Sequence, residues 1–263
     1  MSTESTLITV NDLHKSYDRT RAVRGISFHV AAGQILGLVG PNGAGKTTTL
    51  RTLSAIIPAT HGQLTVDGFC VENDSIEVKR RLAYIPDDPQ LFEDLTVLQH
   101  LAFTASAYGI QDADSQADRL LECFQLADKR EAPVRSLSRG MRQKLAISCA
   151  YLQRPTALLF DEPLTGLDPQ GIRMFKQSIT ERSQGGAAII ISSHLLAMVE
   201  DICTHVLILQ QGSQRFFGTM QDLKAEFAET TDDQTLEDIF FQATNVGQDQ
   251  PTTLEVTDEL VEV

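Results

Sequence analysis

The string Gly40-Pro-Asn-Gly-Ala-Gly-Lys-Thr-Thr48 follows directly on an apolar run at residues 34–39. Its spacing, Gly40-x-x-x-x-Gly45-Lys46-Thr47, constrains the chain more than any other stretch, because a phosphate-binding loop of this pattern works only where a buried strand runs into a helix. Glycines let the backbone curl until its N–H groups, and the positive end of the following helix, face one anion. Lys46 adds a cation for the β and γ phosphates of a nucleotide, and the Thr47 hydroxyl an oxygen for Mg²⁺. Pro41, Asn42, Gly43, Ala44 and Thr48 complete the candidate cradle. A strand used in this way belongs inside a sheet covered on both faces, which points to an α/β fold.

The remaining texture agrees with that fold. Strand-like apolar runs occur at residues 7–10, 26–30, 62–66, 82–85, 157–160, 187–191 and 206–209. The helix opened at Gly45 is expected to end before Pro58. From about 96 to 155 the periodicity turns helical, with Val97, Leu101, Ala105 and Tyr108 on one face before Gly109. Ile172, Phe175 and Ile179 mark a further helix between two strands, and such alternation predicts a parallel sheet. The expected organisation is a core over 1–218 holding a helical insert at about 96–155, then an appendage at 219–244 with helical patterns at 219–228 and 235–243. The acidic end, 245–263, has the composition of a disordered tail.

A second string, Leu158-Leu-Phe-Asp-Glu162, would carry Asp161 to the metal and Glu162 to an attacking water at the end of a buried strand. Alone, an acidic pair after an apolar run is an ordinary solvent-facing strand end; the phosphate loop gives it meaning. A third, Leu137-Ser-Arg-Gly-Met141, opens an amphipathic helix through Leu145 and Ile147. With these three in order, residues 7–218 resemble the ATP-binding cassette (ABC) family.

That resemblance implies a P-loop NTPase core with an antiparallel β subdomain and a helical subdomain. It implies that Tyr17 stacks on adenine, that Gly40 to Thr48 form the Walker A loop, and that Asp161 and Glu162 are the Walker B pair. Gly166-Leu-Asp-Pro169 is similar to the D-loop, whose Asp168 makes contacts across a dimer, and Ser192-Ser-His194 to the switch histidine. Glu162, His194 and Lys46 are then the catalytic residues. Ser138 and Gly140 would complete the nucleotide site of a second subunit, so one phosphate loop per chain implies a homodimer or a heterodimer with a similar subunit. The implied function is that of an ATP-binding and ATP-hydrolysing subunit, using ATP and Mg²⁺, that drives a separate integral membrane permease. Within the family, Gly140-Met-Arg-Gln-Lys-Leu and residues 84–96 look most like the ABC-2-type and Ecs-type ATPase subunits of bacteria.

Two stretches depart from the family's pattern. In Tyr84-Ile-Pro-Asp87-Asp-Pro-Gln90, Asp87 stands where the usual loop has Gln; its carboxylate can ligate Mg²⁺ as an amide oxygen does, which adds Asp87 to Thr47 and Asp161 as a candidate metal ligand, with Gln90 as the alternative. Arg139 and Met141 replace the commoner Gly and Gln of the signature. Just beyond the first departure, Leu91 and Phe92 are apolar in a segment that otherwise reads as solvent-facing. In the resembled family the permease's helix docks there.

Composition narrows the partners. The net charge of −13 is concentrated in residues 229–263, which hold ten acidic and no basic side chains; residues 1–228 are nearly balanced at 22 basic and 25 acidic. No broad positive field is present, so no nucleic acid partner is expected. Cys70, Cys123, Cys149 and Cys203 form no CxxC or Cys/His cluster and read as ordinary thiols of a reducing compartment. The first residues lack a basic flank and apolar stretch, and the apolar runs fall short of the roughly 20 residues a spanning helix needs. A cytoplasmic protein, peripheral on the inner face of the cell membrane, is expected. A soluble assembly ATPase is the competing class, and co-purification with membranes discriminates the two.

Overall fold

In the computed structural model, which describes residues 5–227, strands β1 (Thr6–Tyr17) and β2 (Thr20–Ala31) form a long antiparallel hairpin. Along β1 the side chains of Ile8, Val10 and Leu13 point inward between outward polar residues. Strands β4 (His61–Val66) and β5 (Phe69–Cys70) extend the hairpin into a sheet of order β2-β1-β4-β5. The second sheet contains β3 (Ile35–Val39), β6 (Leu82–Ile85), β7 (Ala157–Asp161), β8 (Ala188–Ser193), β9 (His205–Gln210) and β10 (Ser213–Thr219), in the order β10-β9-β3-β8-β7-β6. Strands β9, β3, β8, β7 and β6 run parallel, and β10 turns back antiparallel on β9.

Two apolar layers lie on the two faces of this parallel sheet, which is why its strands read as unbroken apolar runs. Ala188 and Ile190 face the antiparallel sheet, and in the same layer Leu50 and Leu53 of helix α1 (Lys46–Leu53) pack with Leu36, Leu38, Ile8 and Val10. Ile189 and Ile191 face the other way. There Phe160 shares a cluster with Leu101 of α3 (Val97–Tyr108), Leu121 of α4 (Ala113–Cys123), Leu145 of α5 (Arg139–Leu152) and Phe175 of α6 (Pro169–Gln184). Three shorter helices, α2 (Ser75–Arg81), α7 (Leu196–Ile202) and α8 (Met220–Phe227), and two 3-10 turns at Ala127–Lys129 and Val134–Ser136 complete the described chain.

Local chemistry sets the ends of these elements. Thr96 and Gln99 form a reciprocal capping box that starts α3, and Gly109 closes it in the left-handed conformation. Val97, Leu101 and Ala105 are buried as their spacing predicts, but Tyr108, at the last position of the helix, is exposed. Helix α1 stops at Leu53, ahead of Pro58, because Ala55 turns left-handed and the N–H groups of Ile56 and Ile57 go back to the Arg51 carbonyl. β1 and β2 are longer than their apolar cores suggest, since polar residues fill their outward positions. The helical pattern at 235–243 and the acidic stretch 245–263 lie outside the described residues.

Strands β3, β7 and β8 run parallel, so their carboxyl ends open on one edge, where open α/β sheets place their ligands. Gly40 follows β3, Glu162 follows β7 and His194 follows β8.

Candidate functional site

The turn after β3 leads straight into α1. At Gly45 the backbone is left-handed (φ 104°), and an added Cβ would stand 2.7 Å from the Ala22 carbonyl oxygen, so both conformation and space demand glycine. The Lys46 side chain folds back into its own loop, where Nζ donates to the carbonyl oxygens of Gly40 at 2.7 Å and Pro41 at 3.4 Å. It also stands 3.9 Å from Glu162 Oε1. Burial pulls the amine below its ordinary range, and the carboxylates of Glu162 and Asp161 oppose that pull. Lys46, only 6% exposed, therefore has its amine held between loop carbonyls and acidic groups.

Asp161 ends β7 as a buried carboxylate with two hydroxyl donors. Ser192 of β8 donates to Oδ1 at 2.5 Å, and Tyr84 of β6 donates to Oδ2 at 3.1 Å. Burial, and then the Asp161 charge, push the Tyr84 phenol up to about 12, so it stays protonated and keeps donating near neutral pH. Glu162 takes a left-handed backbone (φ 48°), and its N–H is shared between the carbonyl and hydroxyl oxygens of Ser192, each at 3.1 Å. That turn brings Glu162 Oε2 to His194, whose ring Nδ1–H donates at 2.8 Å and whose backbone N–H lies at 3.4 Å. Lys46, Asp161, Glu162 and His194, scattered along the sequence, thus form one connected polar group. Thr47 and Thr48 follow Lys46 in the first turn of α1, both half-buried.

Ser138, Gly140 and Asp168 belong to a second group, around the start of α5. The Ser138 hydroxyl caps that helix by accepting from the Met141 N–H at 3.2 Å. Gly140 lies so close to the 166–169 turn that an added Cβ would be 2.4 Å from the Gly166 carbonyl oxygen. Asp168 caps α6 through the Gly171 N–H at 2.8 Å, with Lys144 Nζ 3.9 Å from the same oxygen. No hydrogen bond or ion pair joins this group to the Lys46–Glu162 group among the described residues. Tyr17, exposed at the end of β1, also stands apart; the Lys15 ammonium sits 5.0 Å from its ring centroid while donating to the Pro58 carbonyl.

Asp87, the departure at the loop after β6, is held by Arg139, which donates to its Oδ1 at 2.9 Å. Gln90 donates to Asp88. Two contributors carry no sequence signal of their own: Tyr84 reaches Asp161 from 77 residues away, and Ser192 joins Asp161 to Glu162 although the string around it points only to His194. Both arise from strand order, which puts β8 and β6 on either side of β7.

Known proteins resemble this chain in sequence and in fold. Residues 23–165 match the family model described as ABC transporter. The chain is 34% identical over 240 residues to the ABC-type transporter ATP-binding protein EcsA of Bacillus subtilis (strain 168), an alignment spanning 90% of this chain and 96% of that one. It is 31% identical over 219 residues to the linearmycin resistance ATP-binding protein LnrL of the same organism, covering 82% and 70% of the two chains. A solved structure of the ATP-binding subunit of an ABC transporter superposes with a TM-score of 0.86 at 32% identity, covering 90% of this chain and 99% of that one. A nucleotide-free ATP-binding cassette from an ABC transporter shares the fold at a TM-score of 0.72 and 19% identity, over 86% and 96% of the two chains.

Proposed function

The chain belongs to the ABC transporter family as one of its ATP-binding subunits with ATPase function, and from that premise we propose that it dimerises on ATP and drives a separate membrane permease. The observation that carries the proposal is the meeting of Lys46, Asp161, Glu162 and His194 at the carboxyl ends of β3, β7 and β8. Backbone N–H groups within residues 42–48 and the Lys46 ammonium bind the β and γ phosphates. Phosphate oxygens then take over from the Gly40 and Pro41 carbonyls as partners of Nζ, which offsets the cost of its burial.

Among the described residues no cluster of three or more His, Cys, Asp or Glu offers a self-sufficient metal cage. One hydroxyl and one carboxylate, the latter steadied by two donors, instead suit a cation that keeps phosphate oxygens and waters among its ligands. Thr47 and Asp161 would hold Mg²⁺, which when bound offsets charge on the triphosphate. Asp87 is left outside that set because Arg139 engages it.

Glu162 acts as the general base, accepting a proton from the attacking water. His194 holds the carboxylate through Nδ1–H, and its Nε2 donates to the γ phosphate when the ring carries its second proton. Tyr17 stacks on the adenine. Ser138 and Gly140, at the positive end of α5, serve the nucleotide of the partner subunit, with Asp168 beside them. The permease docks where the core meets α3 to α5: a cavity of about 440 Å³ is lined there by Ile56, Tyr84, Leu91 and Tyr108. Beside it Phe92 and Phe103 pack edge to face while remaining 58% and 53% exposed. No helix among the described residues is long and apolar enough to cross a membrane. Docking of this face would hold the protein on the inner side of the cell membrane.

The test uses two variants of the full chain. Lys46→Ala is expected to lose ATP binding, whereas Glu162→Gln keeps it, loses turnover by about 10²- to 10⁴-fold and elutes as a dimer in gel filtration with ATP. Unchanged hydrolysis in Glu162→Gln would assign the base elsewhere; equal ATP affinity in Lys46→Ala would overturn the phosphate site.

A further inference from the structure

Two of the residues that depart from the family's pattern, Asp87 and Arg139, lie 52 residues apart in sequence and meet in space, the guanidinium donating to Asp87 Oδ1 at 2.9 Å. Arg139 is the first residue of α5 and stands between Ser138 and Gly140. Its stem crosses the 166–169 turn: a Cβ added to Gly166 would lie 3.2 Å from Arg139 Cγ and Cδ. One side chain therefore reaches from the turn that carries Asp168 to the loop after β6. The glycine usual at this position of the signature would reach neither.

We propose that Asp87 and Arg139 act as a single positioning pair that fixes the start of α5, with Ser138 and Gly140, against the loop after β6, and that Asp87 works through Arg139 instead of ligating Mg²⁺. This rests on the reading that Ser138 and Gly140 serve a partner's nucleotide. Three observations support it. The Asp87 carboxylate already has a guanidinium partner, and a second cation on the same carboxylate would be repelled by the first. Both side chains are 47% exposed, so the pair contributes little to stability and its role is orientation. The same loop runs on to Phe92, which joins the exposed aromatic face to the signature turn through one ion pair.

The experiment compares the full chain with Asp87→Arg, Arg139→Asp and the double exchange, adding Asp87→Asn for the metal question. Each single reversal is expected to lower turnover about three- to ten-fold, with the melting temperature within about 2 °C of the parent. Restoring opposite charges in the double exchange should return turnover to within about two-fold. In the nucleotide-free protein, amide exchange over 139–142 should quicken in the single variants and recover in the double. Asp87→Asn should leave half-saturation by Mg²⁺ unchanged. A double exchange no better than the worse single variant, in turnover or in amide exchange, would overturn the pair; a Mg²⁺ half-saturation shifted ten-fold by Asp87→Asn would restore Asp87 as a ligand. Should the parent neither bind nor hydrolyse ATP, the functional premise fails, and the exchange measurement alone still decides whether the pair holds α5.

Discussion

The polar groups at the carboxyl ends of β7 and β8 and those around the start of α5 are held in opposite ways. In the first region Asp161 is 3% and Ser192 0% exposed, and both hydrogen bonds to the Asp161 carboxylate come from groups fixed on neighbouring strands. In the second, Asp87 and Arg139 meet at the surface, and the Ser138 hydroxyl bonds only within its own helix turn. Buried and satisfied networks are rigid and costly to break, whereas surface pairs are weak and exchange partners readily. The difference matches two tasks. Under the proposed function, a base and a metal-binding carboxylate gain from preorganisation, whereas a surface that would receive another subunit's nucleotide needs contacts that can be traded.

Ser192→Ala breaks the comparison at its rigid end. It removes the donor to Asp161 Oδ1 and one of the two acceptors for the Glu162 N–H. Loss of a buried hydrogen bond to a charged group costs about 1–3 kcal/mol, and for a chain of this size that lowers the melting temperature by roughly 2–10 °C. Turnover should fall about ten- to hundred-fold, since both carboxylates lose part of their support. Calorimetry and phosphate release check the two together; a variant that melts and turns over like the parent would show that Ser192 is incidental.

How legible each region was in the sequence follows from how local its signals are. The phosphate loop needs one strand, one turn and one helix, all within residues 34–53, so its spacing announces it. The parallel strands announce themselves because both faces are buried. Strand β10 and the two-residue β5 do not: β10 is half-exposed at a sheet edge, its Phe216 facing one layer and Phe217 packing on Phe28 and His29 from the other side. Tyr84 and Ser192 could not be assigned without strand order, and the pairing of Asp87 with Arg139 needs the fold of the whole helical insert. Asp87 was therefore legible as a departure but not in its partner.

Phe92→Glu sharpens the comparison at the adaptable end. Phe92 packs on Phe103 and His100 yet stays largely exposed, so a charge there remains solvated in the free chain. The melting temperature should stay within about 2 °C, as for other surface substitutions. Docking of the permease would force that charge out of water, so its capture from detergent extracts should drop at least ten-fold. Undiminished capture would move the docking face elsewhere.

The smallest effect concerns His100, which lies beneath Phe92 and carries the only buried imidazole among the described residues. Its Nδ1–H donates to the Thr96 carbonyl at 3.2 Å while Nε2 accepts the Phe92 N–H at 2.9 Å, an arrangement that requires the neutral ring. Burial holds its pKa below the usual 6.5, and the bond to Thr96 only partly offsets that shift. As the pH falls through 6.5 the unfolded chain therefore takes up the proton first. The stability contributed by neutral His100 is complete above that pH and is lost as the pH falls toward the folded value. Protonation would also turn Nε2 from an acceptor into a donor facing another donor, loosening the turn that presents Phe92. Between about pH 7.5 and pH 5.5 the parent's melting temperature should fall by about 1–4 °C more than that of His100→Gln. Equal slopes in the two proteins would mean that the turn under Phe92 does not depend on the neutral ring, and that the adaptable region carries no buried anchor of the kind that fixes Asp161.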